Sequence, residues 1–146
     1  MPEPTVEPAN TVLIVTGSTL GAEAYDRPTA YGLARALGSL LGPGGLSVGV
    51  CSDVWYLNQA GLRSRPAISV GGPGVNAFTA YLADRLPSAY VVDGDFVVQA
   101  DLDFEDVLAA CWGTTHAGTA VAVTAFRDRY AAGFARAALA CGALPA

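Results

Sequence analysis

The chain has no lysine, a single histidine and a single methionine among 146 residues, and only 14% of its residues are charged. All eight basic residues are arginine, set against 13 acids, for a net charge of −5. Phosphate-backbone binding is driven by clustered positive charge, so nucleic acid is not an expected partner. Paired cysteines are missing too. Cys51, Cys111 and Cys141 are odd in number, widely spaced and set in apolar contexts, with no CxxC, which fits small core residues in a reducing compartment. The opening "MPEPTVEPAN" has acids and prolines where a signal peptide needs a basic start and an apolar stretch. The most apolar late segment, residues 131–146, is interrupted by Arg136 and falls short of the ~20 apolar residues that a span requires. The expectation is a cytoplasmic protein with no membrane partner.

What is present is apolar: 52% of the residues are hydrophobic, the balance of a chain that buries a core. The length suits a lead-in over residues 1–10 and a single domain over 11–146. "TVLIVTGS" (11–18) reads as a strand buried on both faces, and "LSVGVCSD" (46–53) and "PAISVGG" (66–72) as two more. After the loop "TLGAEAYDRP", Pro28 opens a helix with Tyr31, Leu33, Leu37, Leu40 and Leu41 on its apolar stripe, stopped by "GPGG" at 42–45. A second helix covers 75–86, and Asp93-Gly94 marks a two-residue hairpin between short β runs. "VLAACWG" (107–113) suits a buried strand better than a short helix. A terminal amphipathic helix over 119–141 carries Val123, Phe126, Tyr130, Phe134 and Ala137. The order predicts a Rossmann-like three-layer α/β sandwich, with a mainly parallel central sheet and one antiparallel hairpin at its edge.

In such a sheet ligands bind outside the carboxyl ends of the strands. The loops expected there hold Gly17, Ser18 and Thr19, then Asp53, then Gly71 to Asn76, then Gly113 to Thr119. Gly72-Pro73-Gly74-Val75-Asn76-Ala77 satisfies G-x-G-x-x-A between a strand and a helix, and Asp93 follows 21 residues after Gly72. This stretch of about 25 residues resembles the dinucleotide-binding fingerprint of the Rossmann family. The resemblance implies that Gly72 and Gly74 admit a pyrophosphate to the helix N-terminus and that Asp93 holds ribose hydroxyls. It differs from the family pattern in following the third strand, in carrying Pro73 and in placing Asp93 in a hairpin turn. The plainer reading has turn glycines, Asn76 as helix cap and Asp93 serving a type I′ turn.

Gly113, Gly118 and Thr119 reproduce the G-x-x-x-x-G spacing of a P-loop without its lysine, so Thr114, Thr115 and Thr119 would cradle an anion by hydroxyls and backbone amides, or simply connect, with Thr119 as N-cap. His116 is the sole imidazole and a weak catalytic candidate with Asp53; Ser18 or Ser52 would complete a triad's residue types. Trp55, Tyr56 and Tyr25 are candidates to stack on a base. Six acids crowd residues 93–106, where Asp101 and Asp103 could share Mg²⁺ or Ca²⁺ but better suit a solvated edge. The preferred function is a binding or sensing module for a small anion, a nucleotide or another phosphate-bearing ligand, with Mg²⁺ a lesser expectation. The alternatives are a protein-interaction or homo-oligomeric assembly module, and a nucleotide hydrolase or transferase.

Overall fold

The computed structural model describes residues 10–142. All but Asn10 of the expected lead-in lies outside them. Six strands form one sheet in the order β2-β1-β3-β6-β5-β4: β1 (Thr11–Thr16), β2 (Ser47–Ser52), β3 (Ala67–Val70), β4 (Ser88–Val92), β5 (Phe96–Ala100) and β6 (Leu108–Gly113). The first three and β6 run parallel, while β5 is antiparallel to both its neighbours. The α/β class, the parallel centre and the antiparallel edge are therefore as the sequence predicts, and the late apolar run is a strand, Leu108–Gly113.

Side chains alternate across the sheet with the two-residue period of a strand. From β1, Val12 and Ile14 enter a large core beneath α1 (Arg27–Leu41), α4 (His116–Arg129) and α5 (Ala131–Gly142). Leu13 and Val15 enter a smaller core with Tyr56 and Phe78, from α2 (Asp53–Leu57) and α3 (Ala77–Leu82). With both faces covered, β3 is buried throughout, which is why its sequence is continuously apolar apart from Ser69. The Ser69 hydroxyl is satisfied by that of Thr79.

Four expectations need correction. The segment before α1 is not a loop: Ala22–Asp26 form a π-helical turn leading directly into the helix. On α1 the buried stripe is Ala30, Leu33, Leu37 and Leu41, and Tyr31 and Leu40 face solvent. The hairpin turn has three residues, Asp93 to Asp95, because Val92 pairs with Phe96. Only Gly94 of the three has positive φ, so the turn is not type I′, which needs two such residues.

The fourth correction concerns the terminal helix, which is two helices broken at Tyr130 (φ −126°, ψ −15°). A regular spacing of three and four residues runs through the break, so it leaves no mark on the apolar pattern. The break turns Ala131, Ala135 and Ala138 inward and lets Phe126 meet Phe134 edge-to-face at 5.8 Å. It also points the Tyr130 hydroxyl at the Ala89 carbonyl on the edge strand, which it reaches at 3.2 Å. Phe126→Ala should cost about 4 kcal/mol, since Phe126 is fully buried at this junction. Urea denaturation should show the lower midpoint with an unchanged slope.

Candidate functional site

The carboxyl ends of β1 and β3 form the switch point of the sheet, where the chain goes first to β2 and later to the other side. In sheets of this kind the crevice there is the usual ligand site. In this protein its own polar groups fill it. Gly17 lies so close to the Val75 carbonyl that an added Cβ would stand 1.9 Å from the oxygen. Ser18 donates its hydroxyl proton to Asp53 Oδ1, which also accepts from Val54 N at 2.8 Å, and Asp53 Oδ2 accepts from Ala77 N at 2.8 Å. Asn76 caps α3, accepting from Phe78 N and Thr79 N. Its amide group donates to Val15 O and Val70 O, each at 3.0 Å. Thr19 Oγ1 accepts from Ala22 N at 3.2 Å.

The first amides of α3 are thus satisfied within the chain. The pyrophosphate contact implied by the Rossmann resemblance has no donors left there, and Gly17, Ser18, Thr19, Asp53 and Asn76 serve as internal bracing. Asp53 is also a poor candidate base, being buried with both oxygens engaged.

One strand over, between β3 and β6, an open cleft of about 310 Å³ remains. Gly72, Pro73, Gly74 and Val75 form one wall; Trp112 through His116, with Thr119, form the other. Gly72, Gly74, Thr114, Thr115, His116 and Thr119 of the expected set come together here. Pro73, Val75, Trp112 and Gly113 join them. Asp93 instead lines a neighbouring cavity of about 160 Å³ at the hairpin, which shares Trp112, Gly113 and Thr114 with the cleft.

The second wall is held by close backbone packing. A Cβ at Gly113 would stand 2.6 Å from both Asp95 O and the Gly118 backbone, and one at Gly118 would stand 2.7 Å from Asp95 O. The five-residue spacing of these glycines is therefore a packing requirement, unrelated to a P-loop. Thr115, not Thr119, is the N-cap of α4, accepting from Gly118 N at 3.0 Å. Thr119 is buried in the first turn and accepts from Gly113 N at 3.1 Å, while Thr114 donates its hydroxyl proton to Gly94 O. Thr115 also takes the Thr119 amide on its carbonyl. That leaves the first two helical amides, at His116 and Ala117, without a partner inside the helix.

His116 opens α4, and its Nδ1 lies 2.8 Å from Oδ1 of Asp26. Asp26 is 1% exposed, at the end of the π-helical turn, and its Oδ2 has no hydrogen-bond partner among the described residues. Burial pushes the Asp26 carboxyl above its ordinary value, while the hydrogen bond and charge of His116 pull the other way. Tyr25 stacks on the imidazole at 5.3 Å instead of waiting for a base. Sequence reasoning missed Asp26, which makes no capping bond to α1 and whose partner lies 90 residues away.

Two carboxylate pairs therefore replace the imagined triad, Ser18 with Asp53 and Asp26 with His116. Ser52 is occupied as the cap of α2, accepting from Trp55 N. Tyr56 lies in the core, and burial pushes its hydroxyl up to about 12. Burial likewise raises the Cys51 thiol to about 12 and that of Cys111 further still, so neither is a ready nucleophile. Asp101 organises its own loop by accepting from Asp103 N and Glu105 N. Among the described residues no group of three or more His, Cys, Asp or Glu side chains is placed to hold a metal ion, and no helix is long and apolar enough to cross a membrane. The sequence matches no protein-family model and no curated protein.

Asn76→Ala should cost about 3 kcal/mol, because it strands two strand-end carbonyls and two helix amides in the interior. Chemical denaturation measures it directly. The Asp26 carboxyl has the opposite sign of effect. Its raised pKa means the folded state holds a proton that the unfolded chain releases, so stability falls as pH rises from 3.8 through the raised value. Asp26→Asn should remove that loss. Its urea midpoint, compared with the parent across a pH series, should shift in its favour as pH rises through this window.

Proposed function

We propose that the protein is a binding or sensing module for a small phosphate-bearing anion, such as a nucleotide, held in the cleft between β3 and β6. The observation that carries this reading is the convergence on one open cavity of the glycine loop, the hydroxyl-bearing Thr114–Thr119 loop, His116 and the N-terminus of the 14-residue helix α4. A helix N-terminus favours negative charge through its unpaired amides and its dipole. The volume suits a small ligand, near the lower end of the usual range of about 300–1,000 Å³. Trp112 offers an apolar surface beside the donors.

A thermal-shift series against pyrophosphate, ADP, ADP-ribose, NAD, ATP and GTP, with and without Mg²⁺, tests the reading. A ligand at 100 times its dissociation constant stabilises by about 2.7 kcal/mol, which raises the melting temperature by several degrees. Gly74→Val is the discriminating variant. Its φ is not left-handed, and a Cβ there meets no protein atom within 4 Å, so the fold should tolerate it while the added methyls narrow the cleft. Ligand-induced shifts present in the parent and lost in Gly74→Val are the expected outcome; shifts unchanged by the variant place the ligand elsewhere.

A further inference from the structure

We propose that His116 is a phosphoryl-accepting nucleophile, taking a phosphoryl group on Nε2 from an acyl phosphate or phosphoramidate bound in the cleft, with Asp26 as its positioning residue. The proposal rests on the reading that this cleft holds a phosphate-bearing ligand.

The geometry of the pair fixes which nitrogen reacts. With one proton between the two groups, that proton lies between Oδ1 and Nδ1, since a bare Nδ1 would face the carboxylate lone pairs across 2.8 Å. Nε2 then carries the free lone pair. The ring is about one-third exposed and lines the cleft, and its Nε2 lies beside Gly21, where an added Cβ would come within 2.9 Å. Any side chain at Gly21 would crowd this atom.

Elimination favours a nucleophile over a base that activates some other side chain. The hydroxyl protons of Ser18 and Thr114 are donated to Asp53 and Gly94, and the hydroxyl oxygens of Ser52, Thr115 and Thr119 each cap or brace a backbone amide. Burial holds Cys51 and Cys111 in the thiol form. His116 is left as the accessible nucleophile of the cleft wall. It is also the first residue of α4, so a phosphoryl group on it would sit at the helix end that favours anions.

The step balances without another reactant. Phosphoramidate reacts as its nitrogen-protonated form: the Nε2 lone pair forms the new N–P bond as the donor's P–N bond breaks, and neutral ammonia leaves with the bonding pair and the three hydrogens it already carried. The Nδ1 proton stays in the hydrogen bond, and the Asp26 carboxylate neutralises the phosphoimidazolium. Burying a carboxylate with one oxygen unpartnered costs stability, and balancing that cation is a use that offsets the cost.

The test is phosphoramidate labelling of the full chain, followed by intact mass and by the acid lability of the adduct. The chain has one histidine, so an acid-labile phosphoryl adduct that is lost in His116→Gln reports on that imidazole, and one that persists belongs to an arginine or the terminal amine. Labelling should exceed that of free imidazole at equal concentration and vanish in His116→Gln. It should slow on the order of a hundredfold in Asp26→Asn, which favours the other tautomer. Gly21→Ala should also slow it, with Asp26 left intact. The pH–rate profile should change shape in Asp26→Asn, which a merely structural role would not produce. A parent rate no greater than that of imidazole, or a rate and profile unchanged in Asp26→Asn, overturns the proposal. Pyrophosphate thermal shifts separate the two readings. Shifts without labelling leave the binding reading standing and this one refuted, whereas no labelling together with no shift from any ligand of the series removes both.

Discussion

The carboxamide of Asn76 is the constraint on which the top of the molecule depends. Its two amide hydrogens bridge the Val15 carbonyl near the end of β1 and the Val70 carbonyl at the end of β3, and its oxygen holds the first turn of α3. Parallel strands have no hairpin to join them, so their ends must be tied by whatever follows. Here one buried side chain ties two strands and a helix, and Asp53 adds β2 through Ser52 and α2. Gly17 permits the same closure from the other side, because any side chain there would collide with the Val75 carbonyl. The switch-point crevice is consumed by this bracing, and the open space is displaced by one strand to the β3–β6 boundary.

That displacement changes which helix can serve a ligand. With its first turn satisfied by Asp53 and Asn76, the six-residue α3 is a structural plug. The longer α4 starts at the rim of the cleft and is pinned there by Thr115, by Thr119 and by the backbone contact of Gly113 with Gly118. The hairpin loop contributes the Asp95 carbonyl, which accepts from Thr114 N and packs against both glycines. The antiparallel edge therefore has a role beyond ending the sheet. It buttresses the wall that carries His116.

Most of the architecture was legible in the sequence because burial leaves a period. Strands covered on both faces show as apolar runs, and a glycine marks the ends of β1, α1, β3 and β6. What was illegible is what periodicity does not encode. The break at Tyr130 preserves the spacing of three and four, so "AFRDRYAAGF" looks the same whether it bends or not. The π-helical turn at Ala22–Asp26 is five residues between Gly21 and the Arg27-Pro28 helix start, too short to show a period of its own. The site was half legible: the loops and their glycines were found, but the glycines were read as ligand contacts where Gly17, Gly113 and Gly118 are required by backbone packing. Asp53 and His116 were noticed as chemistry-bearing residues and joined to each other; each belongs to a different partner. Pairing across 90 residues depends on the three-dimensional crossing of α1 and α4, which no local pattern reports.

The composition with which the sequence opens bears on the cleft as well. No lysine exists, and none of the eight arginines lines the cavity, so a bound anion would be held chiefly by the backbone amides at the start of α4. Such donors act by direction and not by net charge, and at contact distance they are screened far less by salt than an exposed ion pair. The surrounding protein is acidic, so long-range attraction would not gather anions to the cleft. For the ligand proposed above, selectivity would then arise from the fit of its phosphoryl group to fixed dipoles. The rigidity of those dipoles is what the closely packed glycines and the threonine caps supply.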